Sequence, residues 1–187
     1  MLLTMRLLIP LFGLLLAVAQ SQEAPPPDTI FQRAIAEQQR GDYPSAIRDY
    51  QDYLKLRPNT VEAEVNLGAA LAHMGRFDEA IELYRSALPS LTYKNPVLLN
   101  LGLAYYKKND FAHAREQFSG LHELEPRDLK VAILLGDTEV KLGKPEAALA
   151  VLQPFDPGDS KNLDFEYVLG EALIKTGHLR DGVAHIE

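Results

Sequence analysis

Apolar residues recur along most of the chain at helical spacing, in short runs that come in pairs. In one pair near the middle, Leu98, Leu101 and Tyr105 fall on one face of a predicted helix. The pattern then breaks at Asn109, and a second amphipathic run containing Phe118 ends shortly before a proline. Each pair therefore predicts two short helices joined by a turn, which together make a helical hairpin.

The paired pattern repeats every 34 residues. Residues 66–80 read NLGAALAHMGRFDEA, and residues 100–114 read NLGLAYYKKNDFAHA. Four columns of the self-alignment hold similar residues, namely Gly41, Gly75, Asn109, Gly143 and Gly177; Ala46, Ala80, Ala114, Ala148 and Gly182; Tyr50, Tyr84, Phe118, Leu152 and Ile186; and Ala34, Gly68, Gly102, Gly136 and Gly170. Five units in register predict a tandem array of hairpins rather than repeated copies of a chemical site.

Helix geometry explains several of these positions. The column of Gly with one Asn follows each first helix, where these two residue types best tolerate the left-handed conformation. Pro44 and Pro145 come early in second helices, where a missing amide hydrogen costs little. Small residues such as Gly102 and Ala114 let the two helices of a hairpin approach closely, and we expect a larger side chain there to splay them.

The third unit carries a recognisable motif, which is Leu98-x2-Leu101-Gly102-x2-Tyr105, then Ala114-x3-Phe118, then Pro126. The motif resembles the tetratricopeptide repeat, with Leu98 in place of a frequent Trp, and the resemblance extends over residues 27–187. It implies an all-α fold, a right-handed superhelical solenoid of tandem helix-turn-helix repeats of 34 residues. The predicted solenoid occupies residues 28–187, with repeats at about 27–60, 61–94, 95–128, 129–162 and an incomplete 163–187.

Three units depart from the common pattern. The first has Arg33-Ala34 where the others have Leu-Gly, which predicts a more polar terminal cap. In the fourth, the second helix is cut short at Pro154, and FDPGDSKN replaces its last turns. The fifth stops at Glu187, before its second helix is complete. We therefore expect an exposed apolar face there, which indicates a truncated chain or a missing partner.

The N-terminal residues predict export from the cytoplasm of a bacterium. In residues 1–19, Arg6 precedes an apolar run that ends in Ala-Val-Ala, which is typical of a signal peptide cleaved after Ala19. Pro10 interrupts this run, which is shorter than the roughly 20 residues of a membrane-spanning helix. A proline-rich linker at residues 20–27 follows. The expected location is periplasmic or extracellular, and the alternative is an uncleaved anchor in the inner membrane.

Composition narrows the possible partners and chemistry. The chain is 47% hydrophobic and 24% charged, as globular proteins are, and its formal net charge of −7 comes from scattered acidic residues. This charge, and the lack of a basic stripe interleaved with aromatic residues, argues against nucleic acid as a partner. The chain has no cysteine, which excludes disulfides, thiolate metal sites and cysteine nucleophiles.

No motif in the sequence predicts catalysis, a metal or a cofactor. His73 and Asp78 are candidates for a catalytic or metal cluster, but the following repeat has Lys107 and Ala112 in their places. The five histidines show no HExxH spacing, and no nucleophile elbow, phosphate loop or dinucleotide fingerprint is present. We therefore predict that the protein is not an enzyme and has no catalytic residue, metal site or cofactor.

The resemblance implies that the first helices of successive repeats line a concave groove, in which extended peptides or partner helices bind. By register, the predicted groove residues are Val65, Asn66, Ala69, His73, Leu99, Asn100, Leu103, Lys107, Ile133, Asp137, Lys141, Tyr167, Glu171 and Lys175. The predicted floor is apolar at first and becomes acidic toward the C-terminal repeats. Lys130 is a further inner-face cation, but one such lysine is too few for the carboxylate clamp of some family members, so recognition of chaperone tails is not predicted.

Two periodic features of the groove each have two interpretations. Asn66 and Asn100 could hydrogen-bond the main chain of a bound peptide as a two-rung ladder, or Asn could simply be common before Leu-Gly in this repeat. The column of four cations that begins at His73 could complement helix dipoles, with each cation contributing about 0.3–1 kcal/mol. It could instead form a basic rail for acidic ligand groups, and dipole complementation is the simpler interpretation.

Three functional hypotheses follow from the sequence. The first is a non-catalytic adaptor or scaffold that binds a protein or peptide partner in the groove, in the cell envelope or outside the cell. The second is the recognition arm of a larger envelope enzyme whose catalytic part lies beyond Glu187. The third is a structural scaffold that self-associates through its open C-terminal helix. A membrane contact is expected only through an uncleaved signal segment.

Overall fold

The computed structural model describes residues 25–155 and 161–187. The helices are α1 Pro27–Gln39, α2 Tyr43–Leu56, α3 Val61–His73, α4 Phe77–Ala87, α5 Asn95–Lys107, α6 Phe111–Leu124, α7 Leu129–Lys141, α8 Pro145–Leu152, α9 Leu163–Lys175 and α10 Leu179–Ile186. The predicted signal peptide and most of the predicted linker lie outside the described residues. No helix in the described ranges has the length and apolar character to cross a bilayer.

The helices form five consecutive hairpins. Each first helix packs against the second helix of its own repeat, and each second helix packs against the first helix of the next repeat. The fully buried side chains include Tyr50, Tyr84, Phe118 and Phe165, so the core runs along the array between the two layers of helices. The predicted all-α repeat solenoid is confirmed, because the described residues contain only helices and turns in this tandem order.

The turn after each first helix has the predicted left-handed residue. The backbone φ is 78° at Gly41, 75° at Gly75, 72° at Gly143 and 90° at Gly177. Asn109 occupies the same position in the third repeat with a φ of 61°. The Gly and Asn column is therefore a requirement of the turn, because other L-residues are strained in this conformation.

Asn109 provides a direct test of that requirement. Replacing Asn109 with Ala should lower the free energy of unfolding by about 1 kcal/mol, because Ala lacks the side chain that helps Asn tolerate a positive φ. Replacing it with Gly should leave stability unchanged or raise it slightly. Urea denaturation of both variants, followed by circular dichroism, measures the difference. Equal stability of the Ala and Gly variants would contradict this account.

In every hairpin after the first, a glycine of the first helix lies against a large side chain of the second. A Cβ atom added to Gly102 would lie 2.5 Å from the Phe118 ring. The corresponding distances are 2.8 Å from Gly68 to Tyr84 and 2.8 Å from Gly136 to Leu152. These contacts confirm that the small column sets the close approach of the paired helices, as expected from the sequence.

The first repeat replaces part of this apolar contact with an ion pair. The Arg33 guanidinium on α1 donates two hydrogen bonds to the Asp49 carboxylate on α2. In the other repeats the residue at the position of Arg33 is a buried leucine, such as Leu67 or Leu101. The Arg33 side chain is half exposed, so the N-terminal repeat has the more polar surface predicted for a cap.

The second helices of the first four repeats alternate between a longer and a shorter form, with 14, 11, 14 and 8 residues. Helix α8 ends at Leu152 and is followed by the 3₁₀ turn Gln153–Phe155, as the proline at position 154 predicted. Helix α4 is shortened in the same way before the 3₁₀ turn Leu88–Ser90, which the sequence analysis did not predict. The connections before the next first helix are consequently longer in these repeats, at residues 88–94 and 153–162, than at 57–60 and 125–128.

The last described helix carries exposed apolar side chains. Leu179, Val183 and Ile186 of α10 are 61%, 44% and 44% exposed. In the second repeat, the residue equivalent to Val183 is Ile81, which is 5% exposed in a helix against which α5 packs. The apolar face expected at this end of the sequence is therefore open in the structure.

Candidate functional site

Among the described residues, three pockets open on the side of the solenoid built by α3, α5, α7 and α9, which we call the first-helix face. The C-terminal pocket lies between α7 and α9 and encloses about 820 Å³. The N-terminal pocket lies between the starts of α3 and α5 and encloses about 480 Å³. The middle pocket, of about 330 Å³, lies between the ends of the same two helices. Together they define a candidate binding surface.

Most of the predicted groove residues line these pockets. In the C-terminal pocket they are Ile133, Asp137, Lys141 and Tyr167. In the middle pocket they are Ala69, His73, Asn100, Leu103 and Lys107. In the N-terminal pocket they are Val65 and Asn66. Leu99, Glu171 and Lys175 line none of the three pockets.

The C-terminal pocket has an apolar floor and a charged rim. Ile133 and Leu134 of α7 face Val168 of α9 across the floor. Tyr167 stands at the opening with 55% of its surface exposed. Lys130 lines the pocket near the start of α7, as expected for an inner-face cation. This combination of apolar floor and polar rim is suited to an apolar side chain that enters from a ligand.

A chain of polar contacts crosses the far side of this pocket. The Tyr106 hydroxyl donates a hydrogen bond to Asp137, and the Lys141 Nζ lies 3.6 Å from the same carboxylate. Lys141 is also 4.0 Å from Glu171, which lies 3.6 Å from Lys175. Burial, helped by the bond to Asp137, raises the pKa of Tyr106 above its usual value. Negative and positive side chains therefore alternate along this row of contacts.

This polar chain corrects two expectations. The floor was expected to become acidic toward the C-terminal repeats, but Lys141 and Lys175 together balance the charges of Asp137 and Glu171. A basic rail was one interpretation of the cation column, but Lys141 and Lys175 already pair with carboxylates of this protein. An acidic ligand would therefore be attracted less strongly to these two lysines than to unpaired ones.

The other two members of the cation column differ from one another. The His73 ring stacks on the Tyr43 ring, with centroids 4.4 Å apart and planes 7° from parallel. Lys107 makes no ion pair within the described residues. All four cations lie in the last turn of a first helix, where a positive charge complements the helix dipole. Their common position therefore supports dipole complementation rather than a rail.

The two asparagines at equivalent positions have different surroundings. The Asn66 side chain lies near enough to the hydroxyl of Tyr50, a fully buried residue, to lower its pKa. That hydroxyl in turn donates to Gln38 Oε1 at 2.7 Å. Burial raises the pKa of Tyr50 to about 12, and the nearby Asn66 amide opposes this rise. Asn100 lines the middle pocket, and its amide has no side-chain hydrogen bond to any other described residue.

The asparagine pair yields a matched prediction. Replacing Asn66 with Ala should lower the free energy of unfolding by about 1 kcal/mol, because the variant loses the polar interaction of the amide with the Tyr50 hydroxyl. Replacing Asn100 with Ala should change it by less than about 0.3 kcal/mol, because no internal bond is lost. Guanidinium denaturation of the two variants side by side measures both. Equal losses would show that Asn has the same structural role in both repeats.

The structure adds residues that the sequence analysis did not select. Tyr106 reaches from α5 to the C-terminal pocket, and Leu129 and Asp164 line it from the starts of α7 and α9. The segment 90–93 lines the N-terminal pocket. Leu129 occupies the register position one turn before Ile133, so extending the register would have found it. The position of residues 90–93 could not be predicted from the register, because the length of a connection does not show which face of the solenoid it follows.

Several histidine and acidic side chains of the described ranges make local polar contacts. No group of three His, Asp or Glu side chains there is arranged to hold a metal ion. His113 pairs with Asp110 at 2.8 Å in a turn, and His178 contacts Thr176 at 3.1 Å.

Comparison with known sequences identifies the repeat. A profile described as tetratricopeptide repeat matches residues 31–94 and 99–160. A curated relative, the protein CTR9 homolog of Arabidopsis thaliana, is 28% identical over 98 residues, which are 52% of this chain. The chain covers 9% of that protein's length.

Solved structures show the same fold at low sequence identity. A crystal structure of MamA aligns with 85% of this chain and 87% of its own at a TM-score of 0.75 and 21% identity. MamA from Desulfovibrio magneticus RS-1, from residue 41 to its end, aligns with 85% and 90% at 0.78 and 17%. YrrB, described as a TPR protein with an unusual peptide-binding site, aligns with 86% and 82% at 0.74 and 16%.

Proposed function

The chain belongs to the tetratricopeptide repeat family, and from that premise we propose that it is a non-catalytic adaptor that binds a protein segment on its first-helix face. Its solenoid is a protein–protein interaction scaffold, since stacked repeats build an extended surface on which a partner can lie. Members of this family are typically non-catalytic. The adaptor acts by holding its partner near other proteins, and chemistry is not required of it.

The C-terminal pocket is the observation that carries this proposal. It encloses about 820 Å³ between two first helices, which is within the range of ligand-binding clefts in proteins. Its floor is apolar, and the charged side chains on its far side, from Asp137 to Lys175, pair with one another. A ligand can therefore bury an apolar side chain there without stripping water from an unpaired charge.

We place the adaptor outside the cytoplasm of a bacterium, in the periplasm or the medium. The support is the N-terminal sequence, in which an apolar run follows Arg6 and ends in small residues. The intact mass of the protein recovered from a periplasmic extract tests this placement. A mature form that begins at Gln20 is the expected result, and recovery of the full-length chain in the membrane fraction would favour an anchor.

Site-specific photo-cross-linking tests the proposed binding face. We would replace Tyr167, at the mouth of the C-terminal pocket, with the photoreactive amino acid benzoylphenylalanine. The matched control carries the same amino acid at Glu116, which is exposed on the second helix α6. Irradiation in cells should link a discrete partner to position 167 and not to position 116. The same partner linked equally at both positions, or at 116 alone, would remove the first-helix face from the account.

Self-association is a second candidate function, favoured by the exposed face of α10. Leu179, Val183 and Ile186 present a contiguous apolar surface, and such surfaces often mark interfaces. Sedimentation velocity of the wild-type chain should then show a coefficient that rises with concentration, whereas Val183→Glu should remain monomeric. A monomeric wild type at high concentration would eliminate this candidate.

A further inference from the structure

Two of the pockets on the first-helix face occupy equivalent places in the array, two repeats apart. Each lies between the first helices of neighbouring repeats and includes their N-terminal ends, and the C-terminal pocket extends from there along α7 to Lys141. The equivalent lining residues of the N-terminal and C-terminal pockets are Val61 and Leu129, Glu62 and Lys130, Val65 and Ile133, and Asn66 and Leu134. The two pockets are therefore matching subsites that recur after two repeats and not after one.

The alternation of second-helix length explains the pairing. Helices α4 and α8 are the shortened ones, and the longer connections that follow them lead to α5 and α9. Residues 90–93 of the first connection form a wall of the N-terminal pocket. Asn162, at the end of the second connection, lines the C-terminal pocket. Each subsite thus lies where a longer connection reaches the first-helix face.

Polar side chains bridge the equivalent position between the two subsites, where α5 and α7 are neighbours. Glu125, in the short connection before α7, accepts a hydrogen bond from the Asn95 amide at 2.5 Å. The Tyr93 hydroxyl lies 3.4 Å from the same carboxylate. This polar bridge spans the position at which a third pocket of the same kind would lie. A ligand along the face would therefore meet two apolar depressions separated by a polar stretch.

The separation of the subsites defines the spacing of a ligand. First helices in contact pack with axes about 10 Å apart, so subsites two repeats apart are separated by roughly 20 Å. An extended chain advances about 3.3 Å per residue, so six or seven residues span this distance. Two apolar side chains of one extended segment can therefore enter both subsites when about six residues separate them.

The charges at the two subsites are different. Glu62 lines the N-terminal pocket, and in the described parts of the chain it makes no ion pair. The C-terminal pocket contains Lys130 and Asp164 at its rim, whose charges are opposite. Its other two charged residues, Asp137 and Lys141, form an ion pair. The N-terminal subsite thus has a net negative charge, and the C-terminal subsite has none. A ligand cation is complementary to the N-terminal subsite alone.

We propose that the first-helix face binds one extended polypeptide segment through two large apolar side chains about six residues apart, one in each subsite, with a Lys or Arg beside the residue in the N-terminal pocket. The proposal rests on the adaptor function above and specifies the chemistry of its partner. Val65 and Ile133 form the two apolar contacts, and Glu62 receives the cation. Because the two contacts belong to one segment, the second forms at a high effective concentration.

Synthetic peptides test the spacing. Fluorescein-labelled peptides of Ser and Thr would carry two Leu residues separated by about three, six or nine positions, with Lys beside the first. Fluorescence anisotropy with the chain from residue 20 should show tightest binding near a separation of six, about tenfold tighter than a peptide with one Leu. Val65→Asn should remove this advantage and should not weaken binding of a peptide that lacks the first Leu.

A charge exchange tests the cation. Glu62→Lys should weaken binding of the Lys peptide about tenfold and restore binding of a peptide with Glu in place of that Lys. Glu64→Lys, the same change on α3 away from the pocket lining, is the matched control and should leave both peptides unaffected. An equal response of the two variants would show that only the overall charge matters, and the proposed position of the cation would be wrong.

The outcomes separate this proposal from the function on which it rests. Peptides that bind equally at every separation, or that do not bind at all, overturn the two-subsite proposal. The adaptor function still stands in that case if a partner cross-links at Tyr167 and not at Glu116. A partner that cross-links equally at both positions overturns the adaptor function, whatever the peptides show.

Discussion

Replacing Gly102 with Val is expected to lower the free energy of unfolding by about 3 kcal/mol, which is the upper range for overpacking a core. Even a Cβ atom at this position would lie 2.5 Å, 2.8 Å and 3.0 Å from three atoms of the Phe118 ring. Phe118 is fully buried, so its ring has no space into which it can move. Val adds two further carbons and should force α5 and α6 apart.

Gly120 provides the matched control for this prediction. It lies in the same hairpin, within α6, and a Cβ atom added there meets no atom within 4 Å. Gly120→Val should therefore change stability by less than about 0.5 kcal/mol, because Val is slightly better than Gly in a helix interior. Urea unfolding monitored by circular dichroism measures both variants. Similar losses for the two would show that helix propensity, not the contact with Phe118, controls the hairpin.

The first repeat shows how the same contact can be built differently. Ala34 stands in the glycine column and is fully buried with Tyr50, the aromatic residue of that hairpin. An extra methyl group is therefore tolerated when the whole hairpin is spaced for it. In the third repeat the spacing is set for glycine, so we expect Gly102→Ala to cost less than Gly102→Val and still to be destabilising. Stability should therefore decrease from the wild type to Gly102→Ala and then to Gly102→Val, as the side chain at the helix contact becomes larger.

The fold could be predicted from the sequence because the repeated columns are direct requirements of backbone and packing. A positive φ demands Gly or Asn at positions such as Asn109. A close helix contact demands a small residue at positions such as Gly102. The same rule that a proline ends a helix, applied at Pro154, would also have found the end of α4 before Pro89. Local rules were therefore sufficient for the architecture.

The candidate site was less predictable, because its chemistry depends on contacts between repeats. Asn66 and Asn100 are identical in register, but only Asn66 meets a hydroxyl that is also bonded to Gln38. Asp137 was expected to add acidity to the floor, but Tyr106 reaches it from the preceding repeat. A register places a side chain on a face of its own helix. It does not show which neighbouring side chain satisfies its hydrogen bonds.

Replacing Ile133 with Glu is expected to weaken binding of the cross-linked partner by about 100-fold or more, the largest loss of any single change on the first-helix face. Ile133 lies on the floor of the C-terminal pocket, one helical turn before Asp137. A ligand side chain that enters the pocket would press the new carboxylate against an apolar floor, where Lys141 already pairs with Asp137 and Glu171 and Lys130 is exposed at the rim. Burial of an unpaired charge is far more costly than loss of an apolar contact.

Leu124→Glu is the matched control for this loss. Leu124 is an apolar residue that is 61% exposed at the end of α6, and it lines none of the three pockets. The dissociation constant of the partner identified by cross-linking, measured by calorimetry, should be unchanged in Leu124→Glu and at least about 100-fold higher in Ile133→Glu. Ile133→Leu should bind within about threefold of the wild type, since it keeps the apolar volume. Tight binding by Ile133→Glu, in a chain whose thermal unfolding is unaltered, would mean that the partner does not enter this pocket.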